Sequence, residues 1–220
     1  MCSTEYCCDG WIPTTFEESG RPVPGSPVDR CPECMIELRE KKIMERFPEI
    51  QDLSVFKNEI ANREKIVGAA FEFAWSSKKY LFLVGIPGVG KTHLALMVLL
   101  KEKRQIAIIS AMELFRIFSD MAAGYRQENI DSFETYQKIL DSSMMLIDDL
   151  NIENRTAVQQ QYFQNFLDRY NGKIIFTSNH PPDKLGFNAA VQSRLGTDSE
   201  ERDSIRTALC LTGQNYRGKK

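Results

Sequence analysis

Between Gly85 and Thr92 the chain reads Gly-Ile-Pro-Gly-Val-Gly-Lys-Thr, a full match to G-x4-G-K-[ST]. The glycines let the backbone curl until successive N–H groups face one anion. The helix that follows aims its positive end at the same anion. Lys91 supplies a point charge for β- and γ-phosphates, and the Thr92 hydroxyl suits Mg²⁺. The expected nucleotide cradle is thus Gly85, Ile86, Pro87, Gly88, Val89, Gly90, Lys91, Thr92 and the adjoining His93. With 55 residues between it and Thr92, Asp148 ends the apolar run Met144-Met145-Leu146-Ile147 and is followed by Asp149. Asp148 is placed to hold Mg²⁺, and Asp149 to polarise an attacking water as general base. Asn179 closes another apolar run, at the sheet edge where open α/β sheets take ligands. Its amide can orient the water or touch a γ-phosphate.

The cysteines suggest a second chemistry. Five of the six lie in the first 34 residues: Cys2, Cys7, Cys8, Cys31 and Cys34. Cys31-Pro32-Glu33-Cys34 has C-x2-C spacing, and such thiolates bind tetrahedral zinc at about 2.3 Å. Clustered cysteines in a reducing compartment point to metal before disulfides. Four of these five are the expected zinc ligands, with Cys2 and either Cys7 or Cys8 completing the set, because adjacent cysteines rarely ligate one ion together. The 22 residues between Cys8 and Cys31 are rich in Pro, Gly and Ser and need the metal to order them. Cys210, in Ala208-Leu209-Cys210-Leu211, reads as a small buried hydrophobe.

The elements that must position these groups follow from hydropathy. Apolar strands are expected at Tyr80–Val84, Gln105–Ser110, Met144–Asp148, Lys173–Ser178 and Thr207–Thr212. Helices are expected at Thr92–Lys101, Met112–Tyr125 and Thr156–Tyr170, with another at Asn58–Trp75 and an exposed charged one at Glu37–Arg46. Alternation with continuous apolar strands predicts an α/β fold, a parallel sheet with helices on both faces. The expected division is a cysteine-rich zinc-binding head at 1–38, a helical linker at 39–57 and an α/β body at 58–220. The 220 residues carry 28 Lys and Arg against 30 Asp and Glu, a net charge of −2. This argues against coating duplex DNA by bulk positive charge. The longest apolar run, Leu94–Leu100, has seven residues, far short of the about 20 of a membrane span. With no secretory signal at the N-terminus, a cytoplasmic location is expected.

In this order of motifs the chain resembles the AAA+ ATPases, and more narrowly the bacterial helicase loaders of the DnaC and DnaI type, grouped with the transposition helper IstB. The resemblance rests on Gly90-Lys91-Thr92-His93-Leu94-Ala95, Leu146-Ile147-Asp148-Asp149, Thr177-Ser178-Asn179, Gln192-Ser193-Arg194-Leu195 and Gly213-Gln214-Asn215-Tyr216-Arg217. Cys8-Asp9-Gly10-Trp11-Ile12 and Cys31-Pro32-Glu33-Cys34 resemble the zinc-binding head of some members. The resemblance implies a five-stranded P-loop sheet of order 5-1-4-3-2. It also implies ATP held between subunits, with Arg194 as an arginine finger for a neighbour's γ-phosphate. Arg217 is a second candidate for a phosphate or interface contact. Only 26 residues follow Arg194, which implies a truncated lid. Asp149 stands where many AAA+ proteins have Glu; the shorter reach implies slow, partner-stimulated hydrolysis of ATP to ADP.

The implied function is delivery of a replicative hexameric helicase to single-stranded DNA in replication initiation, with the head gripping the helicase. The alternatives are an IstB-like helper of a transposase and a nucleotide-gated adaptor with negligible hydrolysis. Tyr125, Arg126, Phe133, Tyr136 and Lys138 interleave aromatic and basic groups as single-strand stacking surfaces do. Phe71, Phe73 and Trp75 read as core, and His93 as a local packing residue.

Overall fold

A computed structural model describes residues 7, 11–19, 21–25, 27–48, 50, 52–53, 56, 60–102, 104–124, 130–151, 155–197 and 205–213. The chain divides into two compact units, Met1–Leu53 and Ser54–Lys220.

In the first unit, β1 (Trp11–Pro13) pairs antiparallel with β2 (Val28–Arg30), Ile12 opposite Asp29. Thr14 extends the hairpin by donating both its amide and its hydroxyl to the Pro27 carbonyl, each at 2.9 Å. Helix α1 (Pro32–Arg46) starts immediately after Cys31, with Pro32 in its first turn. Proline is suited to that position because its missing N–H would have no helical partner there. The helix thus begins five residues before the charged stretch that announced it, and Cys34 lies in its opening turn.

The second unit is built on a five-stranded parallel sheet. In chain order its elements are α2 (Arg63–Trp75), β3 (Tyr80–Gly85), α3 (Lys91–Leu99), β4 (Ile106–Ser110), α4 (Ala111–Ala122), α5 (Ile130–Leu140), β5 (Met144–Asp148), α6 (Ala157–Arg169), β6 (Lys173–Ser178), α7 (Ala189–Arg194) and β7 (Arg206–Leu211). The strands lie in the order β4-β5-β6-β3-β7. Numbered within the sheet this is 2-3-4-1-5, the expected arrangement read from the opposite edge. The register sets Val84 beside Ser178 and Ser110 beside Asp148. The loops after β3, β5 and β6 therefore emerge at one edge.

Strand alternation sorts the apolar residues onto two faces. Tyr80, Phe82, Met145, Ile147, Ile174 and Phe176 join the cluster formed with α4, α6 and α7. Leu81, Leu83, Leu146 and Ile175 are equally buried but stand outside that cluster. They belong to the face on which α3 lies against β3, β5 and β6. Phe118 is the hub of the aromatic packing, meeting Phe115, Tyr136, Tyr162, Phe163 and Phe166 at ring separations of 5.7–6.3 Å. Three helix starts are fixed by side chains. Ser110 caps α4, Asn188 caps α7, and Thr156 with Gln159 forms a reciprocal capping box on α6.

Four expectations change. Helix α2 starts at Arg63, not Asn58, because Ile60 bridges to Gly213 and Ala61 donates to the Thr212 carbonyl. Trp75 is exposed at the end of that helix, although Phe73 is buried as expected. Cys210 is exposed: β7 is an edge strand, and its residues alternate between a covered and an open face. Helix α5 occupies a stretch whose sequence offers only scattered aromatic and basic residues. It buries Tyr136 against Phe118 and Phe166, so this ring offers no stacking surface to a nucleic acid. Phe133 and Lys138 do lie on its exposed side, whereas Tyr125 and Arg126 fall outside the described residues. Among the described residues no helix is long and apolar enough to cross a membrane.

Candidate nucleotide site

The P-loop turns on glycine. Gly88 and Gly90 have φ of 78° and 99°, a region costly for residues with a Cβ. Gly85 is required for a different reason: a Cβ there would meet the Leu211 carbonyl oxygen at 2.4 Å. Gly90 is the N-cap of α3, so the helix opens directly behind the loop. Lys91 is 6% exposed, and its Nζ donates to Gly85 O at 2.8 Å, Ile86 O at 3.0 Å and Asn179 Oδ1 at 2.9 Å. The structure thus brings together the P-loop ammonium and the amide that ends β6.

Thr92 Oγ1 donates to Asp148 Oδ1 at 2.9 Å, joining the start of α3 to the end of β5. Thr177 Oγ1 donates to the same carboxylate oxygen at 2.6 Å. Burial pushes the Asp148 carboxyl above its ordinary range. The Thr177 hydrogen bond opposes this, the neighbouring Asp149 charge reinforces it, and Thr92 and Lys91 oppose it again. A hydroxyl and a carboxylate held this close are the hard oxygen donors that Mg²⁺ selects, so the residues fit that ion.

Asp149 has φ of 56°, the left-handed region. Its amide donates to Thr177 Oγ1 at 2.9 Å, and the Leu150 amide donates to Thr177 O at 2.8 Å. Beyond this bend, the Asn179 amide donates to Asn151 Oδ1 at 3.0 Å. Arg155 anchors the end of the loop: its guanidinium lies 4.8 Å from the Phe115 ring centroid and 4.4 Å from that of Phe187, and donates to the Leu185 and Asn151 carbonyls. His93 lies 5.6 Å from Phe56, ring to ring, which agrees with a packing role.

Arg194 sits elsewhere. It forms a bidentate pair with Asp168, 2.6 and 2.9 Å, and also donates to Ala190 O. The Asp168 hydrogen bond makes its proton harder still to remove. Asp168 lies in the last turn of α6, beside the start of β3, since Lys79 Nζ donates to Leu167 O at 2.9 Å. The P-loop lies at the other end of β3. Arg194 is therefore not brought to Lys91 or Asp148 of its own chain. Arg217 lies outside the described residues.

The thiols of Cys7, Cys31 and Cys34 lie within 4.8 Å of one another, with Cys7 and Cys34 at 3.6 Å. Three converging thiols fit a tetrahedral zinc site with one further ligand. Cys2 and Cys8 fall outside the described residues. Sequence reasoning missed Asn151 and Asp168, and named Thr177 within the Thr177-Ser178-Asn179 motif without giving it a role. Thr177 alone left a signal, as a polar residue inside an apolar strand run.

This sheet order, with a P-loop, an acidic strand end and a polar strand end on one edge, defines a nucleotide-binding domain of the AAA+ class. Residues 56–199 match the bacterial DnaA ATPase domain, and the chain belongs to that family. It is 29% identical over 153 residues to the chromosomal replication initiator DnaA of Psychromonas ingrahamii, covering 64% of this chain. It spans about a third of the length of the curated relatives it matches, 32% of this one and 31% of the Buchnera aphidicola initiator. Its fold is also that of two solved structures, the DnaC helicase loader and DnaI. DnaC has 22% identity and a TM-score of 0.53, covering 73% of this chain and 96% of the other. DnaI has 23% identity and a TM-score of 0.53, covering 72% and 88%.

Proposed function

We propose that this chain is an ATP-dependent loader that binds a replicative hexameric helicase through its N-terminal unit and delivers it to single-stranded DNA. The observation that carries the reading is the extent of the shared fold, which takes in nearly all of the DnaC loader chain. A P-loop with its acidic partners in place adds the means of using ATP, and a separate compact N-terminal unit adds a means of gripping a partner.

In this reading Lys91 and the P-loop amides bind the β- and γ-phosphates. Thr92 and Asp148 would hold Mg²⁺, which would supply charge neutralisation for the phosphates. Asn179 orients the attacking water and Asp149 takes its proton as the water oxygen bonds to the γ-phosphorus and the bond to the β-phosphate oxygen breaks, giving ADP and phosphate. Arg194, remote from its own phosphates, serves the site of a neighbouring copy, so ATP joins subunits together. Arg217 adds a phosphate or interface contact. Cys7, Cys31 and Cys34, with Cys2 as the fourth ligand, would hold a zinc ion that orders the head. Turnover is slow until a partner engages, and the protein works in the cytoplasm.

The test is capture of the host's purified replicative helicase by the full chain, with ATP turnover measured with and without single-stranded DNA. Helicase capture together with stimulated turnover is expected. Capture of a transposase instead would favour the IstB-like reading, and ATP binding with no turnover under any condition would favour the adaptor.

A further inference from the structure

We propose that Thr177 is a positioning residue that locks the two acidic groups of the site into one unit; this rests on the ATPase reading. The regular register between β5 and β6 ends at Ile147 opposite Phe176. From there Thr177 takes over with three bonds to three successive residues. Its hydroxyl donates to Asp148 Oδ1 at 2.6 Å and accepts from the Asp149 amide at 2.9 Å, and its carbonyl accepts from the Leu150 amide at 2.8 Å.

A hydroxyl has one proton to give and lone pairs to receive, so one atom serves both acidic residues at once. Thr177 is fully buried, so a side chain without the hydroxyl leaves both partners with nothing on this strand to bond. The β-branched side chain has a restricted χ1, so the hydroxyl direction is set by the strand. The consequence is geometric. The rotamer of Asp148 and the left-handed backbone of Asp149 are fixed by the same oxygen, and Asn179 follows two residues after Thr177, just past the end of β6. Removing that oxygen uncouples the general base from the Mg²⁺-binding carboxylate while leaving the P-loop intact.

The experiment compares wild type with Thr177→Val, which keeps the shape without the hydroxyl, and Thr177→Ser, which keeps the hydroxyl. For the nucleotide-free chains, NMR exchange of the Asp149 amide is read. Exchange is expected to speed up roughly tenfold in Thr177→Val and to stay near wild type in Thr177→Ser. For the loaded chains, kcat is expected to fall roughly ten- to hundredfold in Thr177→Val with little change in KM, and to recover in Thr177→Ser. If Thr177→Val does not fold, Thr177→Ala takes its place with the same expectations. Wild-type exchange and wild-type kcat in a hydroxyl-free variant would overturn the proposal. A wild-type chain that never hydrolyses ATP would instead remove the ATPase reading, while the amide exchange still decides whether Thr177 couples the two residues.

Discussion

Lys91 Nζ and Asn179 Oδ1 share a hydrogen bond of 2.9 Å, so the P-loop cation and the amide at the end of β6 already point at one place. A phosphate arriving there takes over an ammonium that is oriented beforehand, which spares the ordering of a long flexible side chain. Lys91→Ala is expected to weaken ATP binding by roughly 10- to 100-fold, the worth of one charge-assisted hydrogen bond set. Titration with a fluorescent ATP analogue checks this, and unchanged affinity would remove the site assignment.

The close approach of Gly85 to β7 makes a second prediction. A Cβ at Gly85 would lie 2.4 Å from Leu211 O and 3.1 Å from Val89 Cγ1, so backbone must move. Gly85→Ala is expected to destabilise the chain by about 1–3 kcal/mol. Thermal unfolding monitored by circular dichroism reads the loss, and a wild-type Tm would contradict the packing described.

Asp148 predicts a trade between stability and activity. Its carboxyl is raised chiefly by burial. A group raised in the folded state contributes stability that is fully present below its unfolded pKa and lost as pH rises through the folded one. At neutral pH the Asp148 charge therefore opposes folding of the Mg²⁺-free chain. Asp148→Asn is expected to raise Tm at neutral pH in chelator, to flatten the dependence of Tm on pH across the acid range, and to abolish ATP hydrolysis. A lowered Tm at neutral pH would show that the hydrogen bonds from Thr92 and Thr177 outweigh the buried charge.

The remoteness of Arg194 from its own P-loop separates binding from turnover. Arg194→Ala is expected to leave nucleotide affinity in dilute solution unchanged. Turnover in the assembled state is expected to fall roughly 10³-fold, the scale of an arginine finger. Steady-state ATPase measured against protein concentration distinguishes this from a merely structural loss, which would lower affinity and Tm together.

The three converging thiols of the first unit predict about one zinc per chain in protein purified without chelators. Cys34→Ser is expected to lower the zinc content measured by plasma mass spectrometry and to make the first unit more sensitive to proteolysis, leaving ATP affinity intact. Wild-type protein free of zinc would remove the metal assignment.

Much of this architecture is legible from residue order because its strands are buried on both faces. Runs such as Tyr80–Val84 and Met144–Ile147 admit few other readings, and the P-loop sequence names its own turn. What stayed hidden depends on neighbours distant in the chain. Tyr136 looks like a surface aromatic until α5 packs it under Phe118. Trp75 looks like core until the helix ends beneath it. Cys210 looks buried until β7 is known to be an edge. Thr177 matters because β6 lies beside β5, an adjacency that the family resemblance implied without giving this hydroxyl a role.

The left-handed bend at Asp149 has a bearing on which amino acids this position accepts. Short polar residues such as Asp and Asn tolerate that backbone conformation, whereas longer side chains bear a cost on the order of 1 kcal/mol. Replacing Asp149 with glutamate would extend its reach by a methylene and at the same time work against the bend that aims it. On the proposed role of Asp149 as base, a quicker enzyme would gain from relaxing the bend together with the change of acid.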